Sequence, residues 1–168
     1  MNKAIILLSG LPSAKTKFIE ESKKSNFLWN CNFRDFLGTK ANGLYWDGER
    51  DENYYGFTLE FSRLVSKYFR AEEKYLKEKI EKFLADDSEE KKIGNNVFTN
   101  FLLIVHGVSK ELVSTLESEY GVFQIHVSRR ELNSSIELYD IVLYEDDENF
   151  ESEVQRVISV LTNNKVTP

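Results

Sequence analysis

The chain has 168 residues, 41% of them hydrophobic and 30% charged, with 8 glycines and 2 prolines. That is the composition of one folded domain, residues 1–168, and it excludes collagen-like, low-complexity and largely disordered chains. Twenty-two basic against 28 acidic residues leave a net charge of −6, which disfavours nucleic acid as a partner but leaves room for a local phosphate pocket.

The longest apolar run, residues 4–8, is far shorter than the roughly 20 residues of a membrane span, so no membrane association is expected. No secretory leader is visible, and the single Cys31 fits a reducing compartment, so the expected location is cytoplasmic. In chain order, residues 3–8 read as a buried strand that runs into the turn Ser9-Gly10-Leu11-Pro12-Ser13. A polar helix is expected over 15–24 and a second short strand over 27–33. Residues 38–51, with Gly43 and Gly48, read as a loop.

From Tyr54 the period changes. Phe57, Phe61, Leu64, Val65 and Tyr68 form one helical stripe, and Leu76, Ile80, Phe83 and Leu84 continue it after a break near Arg70. The charged residues over 72–92 read as a solvated helix face and exit loop. A turn over 94–96 leads to a buried strand over 97–105, a helix over 110–120, two short strands over 122–127 and 139–144, and a helix striped by Phe150, Val154, Val157, Ile158 and Leu161. Alternating helices and doubly apolar strands predict an α/β domain with a five-stranded parallel sheet covered on both faces, its first strand in the interior.

Gly10-Leu11-Pro12-Ser13-Ala14-Lys15-Thr16 stands where the first strand enters the first helix. Backbone N–H groups at such a turn attract phosphate, with Lys15 placed for the outer phosphates and Thr16 for Mg²⁺. The spacing is one residue shorter than a phosphate-binding loop, and Ala14 stands where the second glycine belongs, a Cβ in the path of a close backbone approach. An ordinary strand-to-helix turn with an exposed lysine is the other reading of the same residues.

Beyond this turn the chain resembles the P-loop nucleoside and deoxynucleoside monophosphate kinases of phages and Gram-positive bacteria. Four segments carry the resemblance: KAIILLSGLPSAKTKF, LYWDGERDENYYGFTLEFSRLVSKYF, VFTNFLLIVHGVSKELVSTLESEYGVFQIHVSRR and YDIVLYEDDENFESEVQRVISVL. It implies a three-layer P-loop fold and phosphoryl transfer from ATP, with Mg²⁺, to a nucleoside monophosphate. Gly10, Ser13, Ala14, Lys15 and Thr16 would hold the donor phosphates. Lys15, Arg129 and Arg130 would act on the transferred group, and Arg34, Asp47 and Arg50 would belong to the acceptor side.

The departures from the family pattern are His106-Gly107-Val108-Ser109 after the third strand and the short connection over 131–138. Turn, acceptor grip and lid are reduced together. The alternative is therefore a degenerate kinase-fold module that binds a nucleotide or a protein partner. His106, at a strand end, is a candidate substrate residue, and His126 reads as a structural histidine. Trp46, with Tyr45, Tyr54 and Tyr55, could stack a base or anchor the following helix. Glu145, Asp146, Asp147 and Glu148 read as a solvated helix N-terminus, and Cys31 as a passive small hydrophobe.

Overall fold

The computed structural model describes residues 2–41, 49–132 and 139–163. In chain order the elements are β1 (Asn2–Gly10), α1 (Pro12–Ser22), β2 (Phe27–Cys31), α2 (Phe33–Ala41), α3 (Glu52–Phe69), α4 (Ala71–Ala85), β3 (Lys91–Ile93), β4 (Asn96–Phe98), β5 (Asn100–His106), α5 (Lys110–Glu119), β6 (Val122–Ser128), β7 (Ile141–Tyr144) and α6 (Phe150–Asn163). The main sheet has the order β2-β5-β1-β6-β7, and every pairing in it is parallel. The expected α/β architecture and the interior place of the first strand are both present.

Strand β1 shows why. Its side chains alternate between two cores, Ala4, Ile6 and Leu8 on one face and Ile5 and Leu7 on the other. The first face is covered by α1, through Ala14 and Phe18, and by α6, through Val154 and Ile158. The second is covered by α4, through Leu76, Ile80 and Phe83, and by α5, through Leu116. Lys3 ties a helix to the edge of this layer. Its ammonium donates to the carbonyls of Phe83, Leu84 and Asp86, the orphan acceptors at the end of α4.

Three expectations are corrected. The strand expected over 97–105 is two elements. Asn96–Phe98 turns back on Lys91–Ile93 as a small antiparallel hairpin, and the sheet strand starts afresh at Asn100. The strand over 27–33 stops at Cys31, because Asn32 caps a helix that begins at Phe33 and occupies part of the expected loop. Gly38 lies inside that helix, where a Cβ would stand 1.9 Å from the Tyr54 hydroxyl oxygen, so it serves close packing against α3. Gly43 and Gly48 lie outside the described residues.

The break near Arg70 is present as a left-handed residue, φ +52°, that ends α3 and starts α4. The stripe on α3 forms a helix face without being a core. Leu64 and Tyr68 are 54% and 65% exposed, while the residues that α3 buries are Tyr54 and Thr58.

Two glycines separate backbone necessity from indifference. Gly10 has φ +118°, and a Cβ there would stand 1.8 Å from the Val127 carbonyl oxygen. Gly10→Ala is expected to cost at least about 3 kcal/mol in chemical denaturation. Gly56, in α3 with nothing within 4 Å of a built Cβ, should gain about 0.5–1 kcal/mol on replacement by alanine.

Candidate functional site at the strand ends

After β1 the chain passes to α1 on one face of the sheet, and after β5 it passes to α5 on the other. The carboxyl ends of these neighbouring strands therefore border a crevice, the place where open parallel sheets bind ligands.

The turn into α1 is as short as a turn can be. β1 ends at Gly10, Pro12 is the first helical residue, and only Leu11 connects them. Leu11 donates its N–H to the Val127 carbonyl at 2.9 Å, and Lys15 N–H returns to the Leu11 carbonyl at 2.9 Å. The first-turn amides of Ser13 and Ala14 are what remains to face an anion. Ala14 is fully buried in the α1–α6 core, so its methyl points into packing and does not obstruct the crevice, a correction to the expectation from sequence. Thr16 is exposed, and its hydroxyl donates to the Pro12 carbonyl at 3.0 Å.

Ser13 faces the other way along the sheet edge. Its hydroxyl donates to Glu145 Oε1 at 3.0 Å, and the same oxygen accepts from Arg129 Nε at 2.7 Å. Among the described residues, Glu145 Oε2 has only the Lys17 ammonium, 3.4 Å away. Arg129, then Ser13 and Lys17, hold the Glu145 carboxyl below the usual carboxylate range against the opposing effect of burial. Glu145 is thus an enclosed ion-pair partner, not the solvated helix-start residue read from sequence. Arg130 grips both oxygens of Asp147 at 2.7 and 2.8 Å and lies 4.8 Å from the Tyr144 ring. Both arginines after β6 are therefore engaged by carboxylates.

The opposite side of the crevice has the reverse balance. Lys15 is half-buried, and its pKa is lowered by burial and then by the positive charge of Arg34, with Asp35 opposing. Neither Lys15 nor Arg34 forms a side-chain hydrogen bond or ion pair among the described residues. His106 closes β5 beside them. Its pKa is lowered by burial and by Lys15, again with Asp35 opposing, so the ring is neutral near pH 7. Asn32 donates its side-chain N–H to His106 Nδ1 at 3.1 Å. Gly107, with φ +71°, follows directly and packs under the Asn32 amide.

Two clefts adjoin these groups. One of ≈ 500 Å³ is lined by Ser9, Gly10, Lys15, Gly107, Lys110 and Tyr139, among others. In its wall Ser9 Oγ bonds His126 Nδ1 at 2.9 Å, and the His126 ring stacks on Tyr139 with centroids 4.4 Å apart. The other, of ≈ 480 Å³, lies between α2, α3 and the start of α5 and includes Arg34, Arg63, Ser66 and Lys67. Glu72 fixes its floor by accepting from the Ser109 N–H at 2.9 Å and from the Ser109 hydroxyl.

Sequence reasoning singled out Lys15, Arg34 and His106, and the structure brings them together. Arg50 is held 5.7 Å from the Tyr54 ring and lines neither cleft. Trp46 and Asp47 lie outside the described residues. Asn32, Arg63 and Lys67 were missed. The signal for Asn32 was an asparagine one residue ahead of Phe33, at the cap position of a helix that was read as strand and loop. Among the described residues no group of three or more histidines, cysteines and carboxylates is placed to hold a metal ion.

A carboxyl whose folded pKa lies below its unfolded value adds stability above the ordinary range near pH 4, lost as the pH falls through the folded value. Arg129→Ala removes the main cause of the Glu145 shift. Its acid-unfolding midpoint should therefore lie at higher pH than that of the wild type, as followed by circular dichroism. Compared with family models and with curated proteins, the chain matches none.

Proposed function

We propose that this protein binds a nucleoside monophosphate at the carboxyl edge of β1 and β5, using Lys15, which the resemblance assigns to donor phosphates, together with Arg34 from the acceptor side, and that binding rather than turnover is its main capacity. One observation carries the reading: Lys15 and Arg34 line adjoining clefts, close enough for their charges to interact, with no carboxylate partner among the described residues. Arg34 adds to burial in opposing the charge on Lys15, and an arriving dianion relieves that opposition. The first-turn amides of α1 add a partial positive charge at the same place. Arg63 and Lys67, one helical turn apart on α3, line the adjoining cleft together with Glu72 and Glu111, a polar surface for the hydroxyls of the nucleoside.

ATP with Mg²⁺ is a poorer match for these residues. Wrapping a β-phosphate takes a run of free loop N–H groups, and here a one-residue turn gives its amide to Val127. The Thr16 hydroxyl is occupied by Pro12, and Arg129 and Arg130 are occupied by Glu145 and Asp147. A second reading, phosphoryl transfer from ATP to the monophosphate, draws support from one feature. Arg129 and Lys17 both approach the Glu145 carboxylate beside Ser13, so two cations stand at the edge where a donor phosphate would lie.

Calorimetric titration with nucleoside monophosphates should give micromolar to millimolar affinity. Lys15→Ala and Arg34→Ala should each lower it about tenfold or more, the loss expected for one charge-assisted contact. A ligand selective for the folded state should also raise the melting temperature. Wild-type affinity in both variants would remove the reading. Steady release of ADP from ATP, dependent on added monophosphate, would move the conclusion to the second one.

A further inference from the structure

We infer that Asn32 fixes the tautomer of His106 so that the ring offers a neutral Nε2–H to an oxygen of the phosphate held by Lys15 and Arg34, an inference that rests on the nucleotide-binding reading above. The chain of constraint starts at the N-terminus of α2. Asn32 Oδ1 accepts from the backbone N–H groups of Arg34, at 2.9 Å, and Asp35, at 3.3 Å. Only the oxygen end of the amide can do this, so the Asn32 NH₂ end faces His106. It stands 3.1 Å from Nδ1. A donor aimed at Nδ1 requires a lone pair there, and the ring hydrogen of a neutral imidazole is then on Nε2.

That Nε2 is buried and has no hydrogen-bond partner among the described residues. Most buried polar groups in folded proteins are satisfied, so a donor left open near the unpaired Lys15 ammonium is an acceptor's place. The ring lines a hollow of ≈ 280 Å³ together with Asn30, Asn32, Asp35, Phe36 and Tyr75.

Among the described residues, the charged and titratable groups around the ring are Lys15 on α1, Asp35 on α2 and Tyr75 on α4, with Arg34 acting on Lys15 from the same side. Burial and Lys15 oppose a charge on the ring. An imidazolium here would repel Lys15, and an Nε2 lone pair would repel a phosphate oxygen. A neutral N–H avoids both, and Asn32 selects it. Asn32 is accordingly a positioning residue, and His106 the group that meets the ligand.

The test combines ring ¹⁵N NMR with calorimetry, using adenosine 5′-monophosphate and inorganic phosphate as probes. The free protein should show the hydrogen on Nε2. Asn32→Asp, which keeps a good helix cap but can only accept from the ring, should move the hydrogen to Nδ1. A glutamine amide can place an N–H near the position of Nε2, whereas the shorter asparagine reaches only that of Nδ1. His106→Gln should therefore keep affinity for both probes within about threefold, while His106→Asn should lose about tenfold, the worth of one well-placed donor.

A free wild-type ring protonated on Nδ1 overturns the inference. So does wild-type affinity in His106→Asn when Lys15→Ala has lost binding, an outcome that leaves the nucleotide reading standing. Dependence on His106 for the nucleotide but not for inorganic phosphate overturns the phosphate contact. Absence of binding of either probe by the wild type overturns both proposals.

Discussion

The contact between Gly10 and the Val127 carbonyl governs the business end of this molecule. Two neighbouring strands approach so closely at this point that no side chain fits, and the backbone must turn through φ +118°. Because Leu11 N–H is drawn onto the same carbonyl, the chain enters α1 at once, with Pro12 as first helical residue. Everything nearby inherits that geometry. Ala14 falls into the core, Ser13 is directed to the last strand, and Lys15 emerges over β5. A longer glycine-rich turn would stand off the sheet and free its amides. Here they are committed to holding β1 against β6.

The distribution of charge follows from the same edge. On the β6–β7 side, cations and carboxylates are matched in short contacts, Arg129 with Glu145 and Arg130 with Asp147. On the β5–β2 side, Lys15 feels the positive charge of Arg34, with Asp35 opposing, and neither cation has an ion-pair partner among the described residues. Matched pairs at a surface contribute little and bind nothing further. The unmatched, half-buried Lys15 is costly in the free protein, with the exposed Arg34 adding to its repulsion, and an anion lowers that cost. The two ends of one crevice thus have opposite capacities, although a count of arginines in the sequence favours the β6–β7 end.

The sheet was legible because burial on both faces leaves continuous apolar runs, as at Ala4–Leu8 and Phe101–Val105, which no half-exposed strand would show. The helix break at Arg70 was legible from the interrupted stripe. Gly38 misled because glycine signals a turn in sequence, whereas in α2 it makes room for the Tyr54 hydroxyl, a partner 16 positions away that local pattern does not show. Glu145 misled for a related reason. Four consecutive acidic residues look alike in a string, and only tertiary contact with Arg129, Lys17 and Ser13 separates the first from the others. Lys15, Arg34 and His106 could be singled out by residue type and element ends, but their convergence is a product of strand order.

Strand β1 has a consequence for how the chain reaches its native state. It is synthesised before the strands it pairs with, which are remote: Asn2 bonds Asn100 across 98 positions, and Ser9 bonds His126 across 117. Helices α3 and α4 close on neighbouring residues and can form early, whereas the central strand gains its pairing only once β5 and β6 exist. Until then Ala4–Leu8, apolar toward both faces, has no sheet to enter. A nascent chain carries this apolar segment unpaired until β5 and β6 have been made, which makes β1 the natural target for holding chaperones and the natural seed of aggregation when synthesis outpaces folding.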